Sequence, residues 1–152
     1  MTTEDQNGSL AIGFIMGVTY RKIASLLQKE LKAYDITPEQ WSVLHQIDRS
    51  EGMIQREIAA RTGKDKPTTT RILDHLENKG LVYKQTGQQD RRSFLVYSTE
   101  RGKALIRDTL RIEEGVTEEV KACLSAEEYV MLTELLLRIN DHVSQVIENK
   151  DK

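Results

Sequence analysis

The sequence predicts a mainly α-helical fold carrying one small β-hairpin, and three observations predict it. Apolar residues recur at threes and fours along most of the 152-residue chain, the spacing of one helix face. Proline occurs only at positions 38 and 67, so few helices are interrupted from within. One segment breaks the helical period. Residues 81–86 and 93–98 are rich in β-branched and aromatic side chains and bracket the polar run Gly87 to Arg92, which is too long for a two-residue turn.

In chain order, Phe14, Val18, Ile23, Leu26, Leu27 and Leu31 form the apolar face of a helix over residues 10–33. That face is too continuous at its start for a lone solvent-facing helix, so it is expected to pack on a partner. Thr37, Pro38 and Gln40 supply a capping hydroxyl, a proline at the first helical position and a glutamine at the third, which opens a second helix ending near Gly52. Trp41 lies on its apolar side, and His45 follows one turn on. Met53 and Ile54 suit a short strand. Gln55 to Thr62 reads as a brief helix with Ile58 and Ala59 inward, stopped at Gly63.

The next helix runs from Lys66 to Lys79. At about 100° per residue, Thr69, Ile72, Leu73 and Leu76 share the buried stripe, while Pro67, Thr70, Arg71, Asp74 and Asn78 face outward with Lys66 and Thr68 on the flanks. Gly80 takes the position after the helix, and Leu81 is expected to fold back on Leu76. Beyond the hairpin, Thr99 caps a helix to about Ala122 with Leu105, Ile106, Leu110, Ile112 and Val116 as its apolar positions. Ser125 to Glu128 is a second capping box. It opens a last helix striped by Leu132, Leu135, Leu136, Ile139, Val143, Val146 and Ile147. Three striped helices carry more apolar surface than so small a body covers, which predicts a dimer interface.

Residues 55–99 therefore combine a short helix, a tight turn, a second helix rich in small hydroxyls and a hairpin tipped by Asp90-Arg91-Arg92, the plan of a winged helix-turn-helix. Such a second helix suits the major groove and such a hairpin an adjacent minor groove, where arginine is favoured. Lys66, Pro67, Thr68 and Thr70 offer hydroxyls, a methyl surface and backbone N–H groups to phosphates and base edges, and Arg71 can reach a guanine or a phosphate. The competing reading pairs Arg71 with Asp74 and gives it no further role. Charge supports DNA contact. Residues 61–92 hold eight basic and four acidic side chains, a net +4 within a chain of net −2.

Other classes lack their signatures. No run approaches about 18 apolar residues, and the residues before Leu10 are polar and include Glu4 and Asp5, so neither a membrane span nor a signal peptide is expected and the chain is placed in the cytoplasm. The single cysteine, Cys123, cannot form an internal disulfide and is expected to be a small buried hydrophobe near a helix end. His45, His75 and His142 share no metal-ligand spacing with one another or with Cys123, and no metal or cofactor is expected. No nucleophile elbow, phosphate loop or triad spacing points to an enzyme. The rival from another class is a winged helix that docks an acidic partner protein.

The run Arg71-Ile72-Leu73-Asp74-His75-Leu76-Glu77-Asn78-Lys79-Gly80-Leu81-Val82, then Asp90-Arg91-Arg92, Leu95-Val96, Thr99 and Gly102, resembles the MarR family of bacterial transcriptional regulators. The resemblance implies an obligate homodimer, with a reader over about 37–99 and dimerisation helices over about 9–34 and 100–148, that binds a pseudo-palindromic operator as a repressor. It implies that Arg92 enters the minor groove, that Asp90 orients Arg91 and Arg92, and that Pro67, Thr68, Thr70 and Arg71 meet the major groove. It also implies release by a small aromatic or lipophilic ligand, here expected near Phe14, Tyr20, Trp41 and His45. Two departures stand out: Pro67 replaces a common serine, and Ser98 replaces a usual leucine, a change expected to affect strand packing only. The cysteine of the family's peroxide sensors is missing from the first helix.

Overall fold

The computed structural model describes residues 11–87 and 93–152. Among them run helix α1 (Ile12–Leu31), a 3-10 turn (Lys32–Tyr34), α2 (Pro38–Arg49), β1 (Met53–Ile54), α3 (Gln55–Thr62), α4 (Lys66–Asn78), β2 (Val82–Thr86), β3 (Phe94–Ser98), α5 (Glu100–Lys121) and α6 (Ala126–Lys150). The fold is thus mainly helical with a small antiparallel sheet. The expected start of the first helix at Leu10 lies outside the described residues.

Local chemistry sets the boundaries. Thr37 accepts the Gln40 backbone N–H at 3.1 Å and the Gln40 side chain accepts the Thr37 N–H at 3.3 Å, so each satisfies an N–H that the helix leaves unpaired. The hairpin gains a third strand. Met53 and Ile54 pair with Val96 and Leu95, which places β3 between β1 and β2. β2 and β3 pair from Val82 opposite Ser98 to Thr86 opposite Phe94.

The body is divided into two compact units, residues 1–113 and 114–152, and the boundary falls inside α5. In the first unit, Leu31, Leu44, Ile47, Ile58, Ile72, Leu73, Leu76, Val82 and Val96 form a dry core under the sheet and around α4. Trp41 is 4% exposed and anchors α2 in that core. Its indole N–H donates to Thr109 Oγ1 at 2.7 Å, which satisfies the one polar atom it would otherwise bury unpaired. Ala59 is only half-buried.

The passage from α4 into the hairpin, and from the hairpin into α5, is one interlocked joint. Gly80 adopts φ +73°, so Leu81 N–H reaches back to Leu76 O at 2.9 Å and Gly80 N–H to Glu77 O at 2.9 Å, closing the end of α4. Thr99 then stitches the chain together: its N–H donates to Leu81 O at 3.0 Å and its hydroxyl to Gly80 O at 2.7 Å. The same hydroxyl accepts the Gly102 N–H at 3.0 Å and so caps α5. Gly102 lies against Leu81, where a β-carbon would stand 2.2 Å from the Leu81 carbonyl oxygen.

The second unit contains the end of α5 and all of α6, which begins with the Ser125 and Glu128 capping box. Leu132, Leu135, Leu136, Ile139, Val143, Val146 and Ile147 are exposed in the single protomer, as are Ile12, Phe14 and Leu26 on α1 of the first unit. Cys123 is exposed, contrary to the buried position expected. It lies past the last residue of α5, in the turn before Ser125, so it falls off the helix's apolar stripe, and its thiol donates to Val120 O at 3.3 Å. No helix among the described residues is long and apolar enough to cross a membrane.

Candidate nucleic-acid interface

α3 and α4 are joined by a three-residue turn in which Gly63 adopts φ +65° and Lys64 N–H bonds Ala59 O at 3.0 Å. Asp65 then caps α4. Its carboxylate accepts the Thr68 N–H at 2.8 Å, and hydrogen bonds from the Thr68 backbone and side chain, aided by the charges of Arg71 and Lys64, hold its pKa below the ordinary value. This cap corrects one expectation. Pro67 has no N–H, the Thr68 N–H is occupied by Asp65 Oδ1 and the Thr69 N–H by Asp65 O, so the start of α4 presents side chains rather than a row of free backbone donors.

The outward face follows the helical wheel. Thr69, Ile72, Leu73 and Leu76 are buried, whereas Lys66, Pro67, Arg71, Asp74 and Asn78 are exposed. Lys66, Pro67, Thr70, Arg71, Asp74, His75 and Asn78 line one open depression, and Thr68 lies half-buried beside it. Thr70 is half-buried too, and its hydroxyl is engaged: it donates to Lys66 O at 2.9 Å and accepts from Gln55 Nε2 at 2.6 Å, which also braces α3 against α4.

Asp74 does not pair with Arg71. Lys84 on β2 reaches it at 3.1 Å and also lies 3.9 Å from Glu77, tying the hairpin to α4. Arg71 is left exposed with no ion pair among the described residues. Asp90, Arg91 and Arg92 lie outside the described residues. The strands leading to them meet where Gly87 N–H donates to Ser93 O at 3.0 Å.

The expected ligand residues come together only in part. Tyr20, Trp41 and His45 share a cavity of about 470 Å³ with Glu39, Arg61 and Glu113, and the Trp41 and His45 rings lie 4.8 Å apart. Phe14 is not among its lining residues and is 59% exposed. Six residues at about 100° each carry it roughly 120° around α1 from Tyr20. Among the described residues no group of three His, Cys, Asp or Glu side chains could hold a metal ion.

Ser98 also differs from expectation. It is buried, and far from merely filling a packing position it joins a polar cluster with Asp48, Glu51 and Lys103. Partial burial raises the Glu51 pKa, but hydrogen bonds from Lys103 and Ser98 outweigh this and hold it below the ordinary carboxylate value; the Glu51 hydrogen bond raises Lys103 above the ordinary lysine value against its own desolvation. Both shifts favour the charged pair. Sequence reasoning missed this cluster because its members are separated by up to 55 positions. It also missed Gln55 and Lys84. Asp65 was within reach, since an aspartate two residues before a proline is a common helix opening.

A model of the MarR family matches residues 34–93. The chain is similar in structure to the transcriptional regulator SlyA, with a TM-score of 0.84, 27% identity and coverage of 91% of this chain and 98% of that one. It is also similar to a mutant MarR from E. coli solved with operator DNA, with a TM-score of 0.79, 28% identity and coverage of 88% and 96%. A MarR transcriptional regulator from Methanosarcina mazei gives 0.78, 26%, 88% and 96%. Residues 34–93 thus match the MarR family, and the chain shares the fold of these SlyA and MarR structures.

Proposed function

We propose that this protein is a sequence-specific DNA-binding transcriptional regulator that acts as a homodimer in the cytoplasm. The observation that carries this reading is the outward face of α4, where Lys84 takes Asp74 and Arg71, beside Lys66, Pro67 and Thr70, makes no ion pair among the described residues. An exposed guanidinium that makes no close carboxylate pair among the described residues suits a guanine edge or a phosphate. In this reading α4 enters the major groove, with Thr68 at its edge. Asp90, Arg91 and Arg92, which fall between β2 and β3 in sequence, are assigned to the minor groove, with Asp90 orienting the arginines. Support comes from the matched family, whose E. coli member is seen with operator DNA.

The dimer is assigned to residues of about 9–34 and 100–148, and residues of about 37–99 form the reader. Exposed apolar stripes on α1 and α6 are the support, because water contact over faces of that length is unfavourable. Light scattering should give twice the chain mass, and Leu136→Glu on the α6 stripe should shift the population to monomer. A monomeric wild-type chain would overturn this assignment.

Repression is the sign of regulation proposed, with release by a small aromatic or lipophilic compound in the cavity of Tyr20, Trp41 and His45. The ring pair formed by Trp41 and His45 supports an aromatic occupant. Selection from a random DNA pool by the purified chain tests the function as a whole. A pseudo-palindrome should emerge, with half-sites about 34 Å apart. Binding should weaken with salt at a log–log slope of roughly −5 if about six phosphates are contacted, and the inducer should show itself in the same assay by quenching Trp41 fluorescence while releasing DNA. Enrichment of no sequence, together with capture of an acidic protein through the same face, would favour the rival role as a protein-docking module.

A further inference from the structure

The hairpin is anchored at its root by four side chains drawn from separate parts of the first unit. Asp48 stands in the last turn of α2, Glu51 in the turn that follows, Ser98 at the end of β3 and Lys103 in the opening turns of α5. Ser98 N–H donates to Glu51 Oε2 at 3.0 Å, and its hydroxyl lies within hydrogen-bonding distance of Glu51 and, at 3.1 Å, of Asp48 Oδ1. Lys103 Nζ donates to Ser98 Oγ at 3.0 Å, lies 3.4 Å from Asp48 and pairs with Glu51.

The cation is needed there. Two carboxylates, Asp48 and Glu51, converge on Ser98 and Lys103 near the negative end of the α2 dipole. Lys103 relieves both repulsions, and in doing so bonds the residue from which β3 leaves for α5. β3 spans five residues, roughly 17 Å, so a tilt of about 6° at Ser98 moves its far end about 2 Å. That is enough to lose a hydrogen bond in a groove.

We propose that Lys103, acting through Ser98, Glu51 and Asp48, is a positioning residue that sets the angle of the wing and thereby places its arginines on DNA. The proposal rests on the DNA-binding reading above. A merely structural Lys103 would weaken the folded state without changing what Arg92 contributes; a positioning Lys103 makes the two residues interdependent.

A double-mutant cycle on the full-length chain separates these cases, using the operator selected by wild type and a thermal midpoint for each variant. Arg92→Ala should weaken wild-type binding about tenfold and the Lys103→Met variant only about twofold, with Lys103→Met alone costing about fivefold. Lys103→Arg, which keeps the charge, should restore the tenfold sensitivity. If Lys103→Met fails to fold, Ser98→Ala removes the hydroxyl alone and enters the same cycle. Equal costs of Arg92→Ala with and without the anchor would overturn the proposal while leaving DNA binding intact. Failure of the DNA-binding reading looks different, because wild type would then show no preference for the selected sequence over random DNA.

Discussion

Gly102→Ala is expected to destabilise the protein by about 3 kcal/mol, read as a fall of roughly 6–12 °C in the midpoint of thermal unfolding. Two effects oppose each other at this position. Alanine favours a helix over glycine by about 1 kcal/mol, but the new β-carbon would stand 2.2 Å from the Leu81 carbonyl oxygen, a backbone atom that cannot rotate away. Relief requires Leu81 to move, and Leu81 O is the acceptor of the Thr99 N–H, so the shift breaks the joint between α4, the wing and α5. Gly115 on the same helix has nothing within 4 Å of the place an alanine methyl would take, and Gly115→Ala should instead stabilise by about 0.5–1 kcal/mol. A midpoint unchanged by Gly102→Ala would show that the joint yields.

Arg71→Ala is expected to weaken operator binding by about 1–3 kcal/mol, roughly 5- to 150-fold, with the thermal midpoint almost unchanged. The structural argument is one of availability. Arg71 is exposed and makes no ion pair among the described residues, so its removal leaves no buried group unsatisfied, and surface changes of that kind stay within about 0.5 kcal/mol of stability. Within the fold its charge only favours the ionised Asp65 cap. The pattern of loss across operators divides its possible contacts. If Arg71 reads a base, the penalty falls on one base pair; if it holds a phosphate, the penalty is uniform and the salt slope drops by about one. Undiminished affinity would remove α4 from the proposed interface.

Much of this was legible in the sequence because it is governed by neighbours within four residues. The Thr37 and Ser125 capping boxes, the Gly80 helix end and the stripe of Thr69, Ile72, Leu73 and Leu76 all depend on local spacing. The third strand was partly visible as Met53 and Ile54, but its pairing with β3 closes a long loop that no local pattern encodes. The same distance hid the Ser98 cluster, and serine in a strand carries no mark of the three charges that meet it. Thr109 was hidden differently. A threonine inside a helix looks polar, yet here it is fully buried because Trp41 needs an acceptor. Phe14 does not line the cavity of Tyr20, Trp41 and His45, since family analogy names a neighbourhood whereas helix geometry decides which side of α1 turns toward it.

In the proposed complex, the orientation of one hydroxyl bears on which bases α4 would tolerate. Thr70 directs its hydrogen home to the carbonyl of Lys66 and gives one lone pair to Gln55 Nε2, so only its second lone pair is left for an outside donor. It meets the outside world as a Lewis base. Exocyclic amines, on adenine or cytosine, are matched to such a group, while the keto oxygens of guanine and thymine would confront it lone pair to lone pair. If α4 enters the major groove as proposed, two bonds made before any duplex arrives tilt the alphabet that this position accepts.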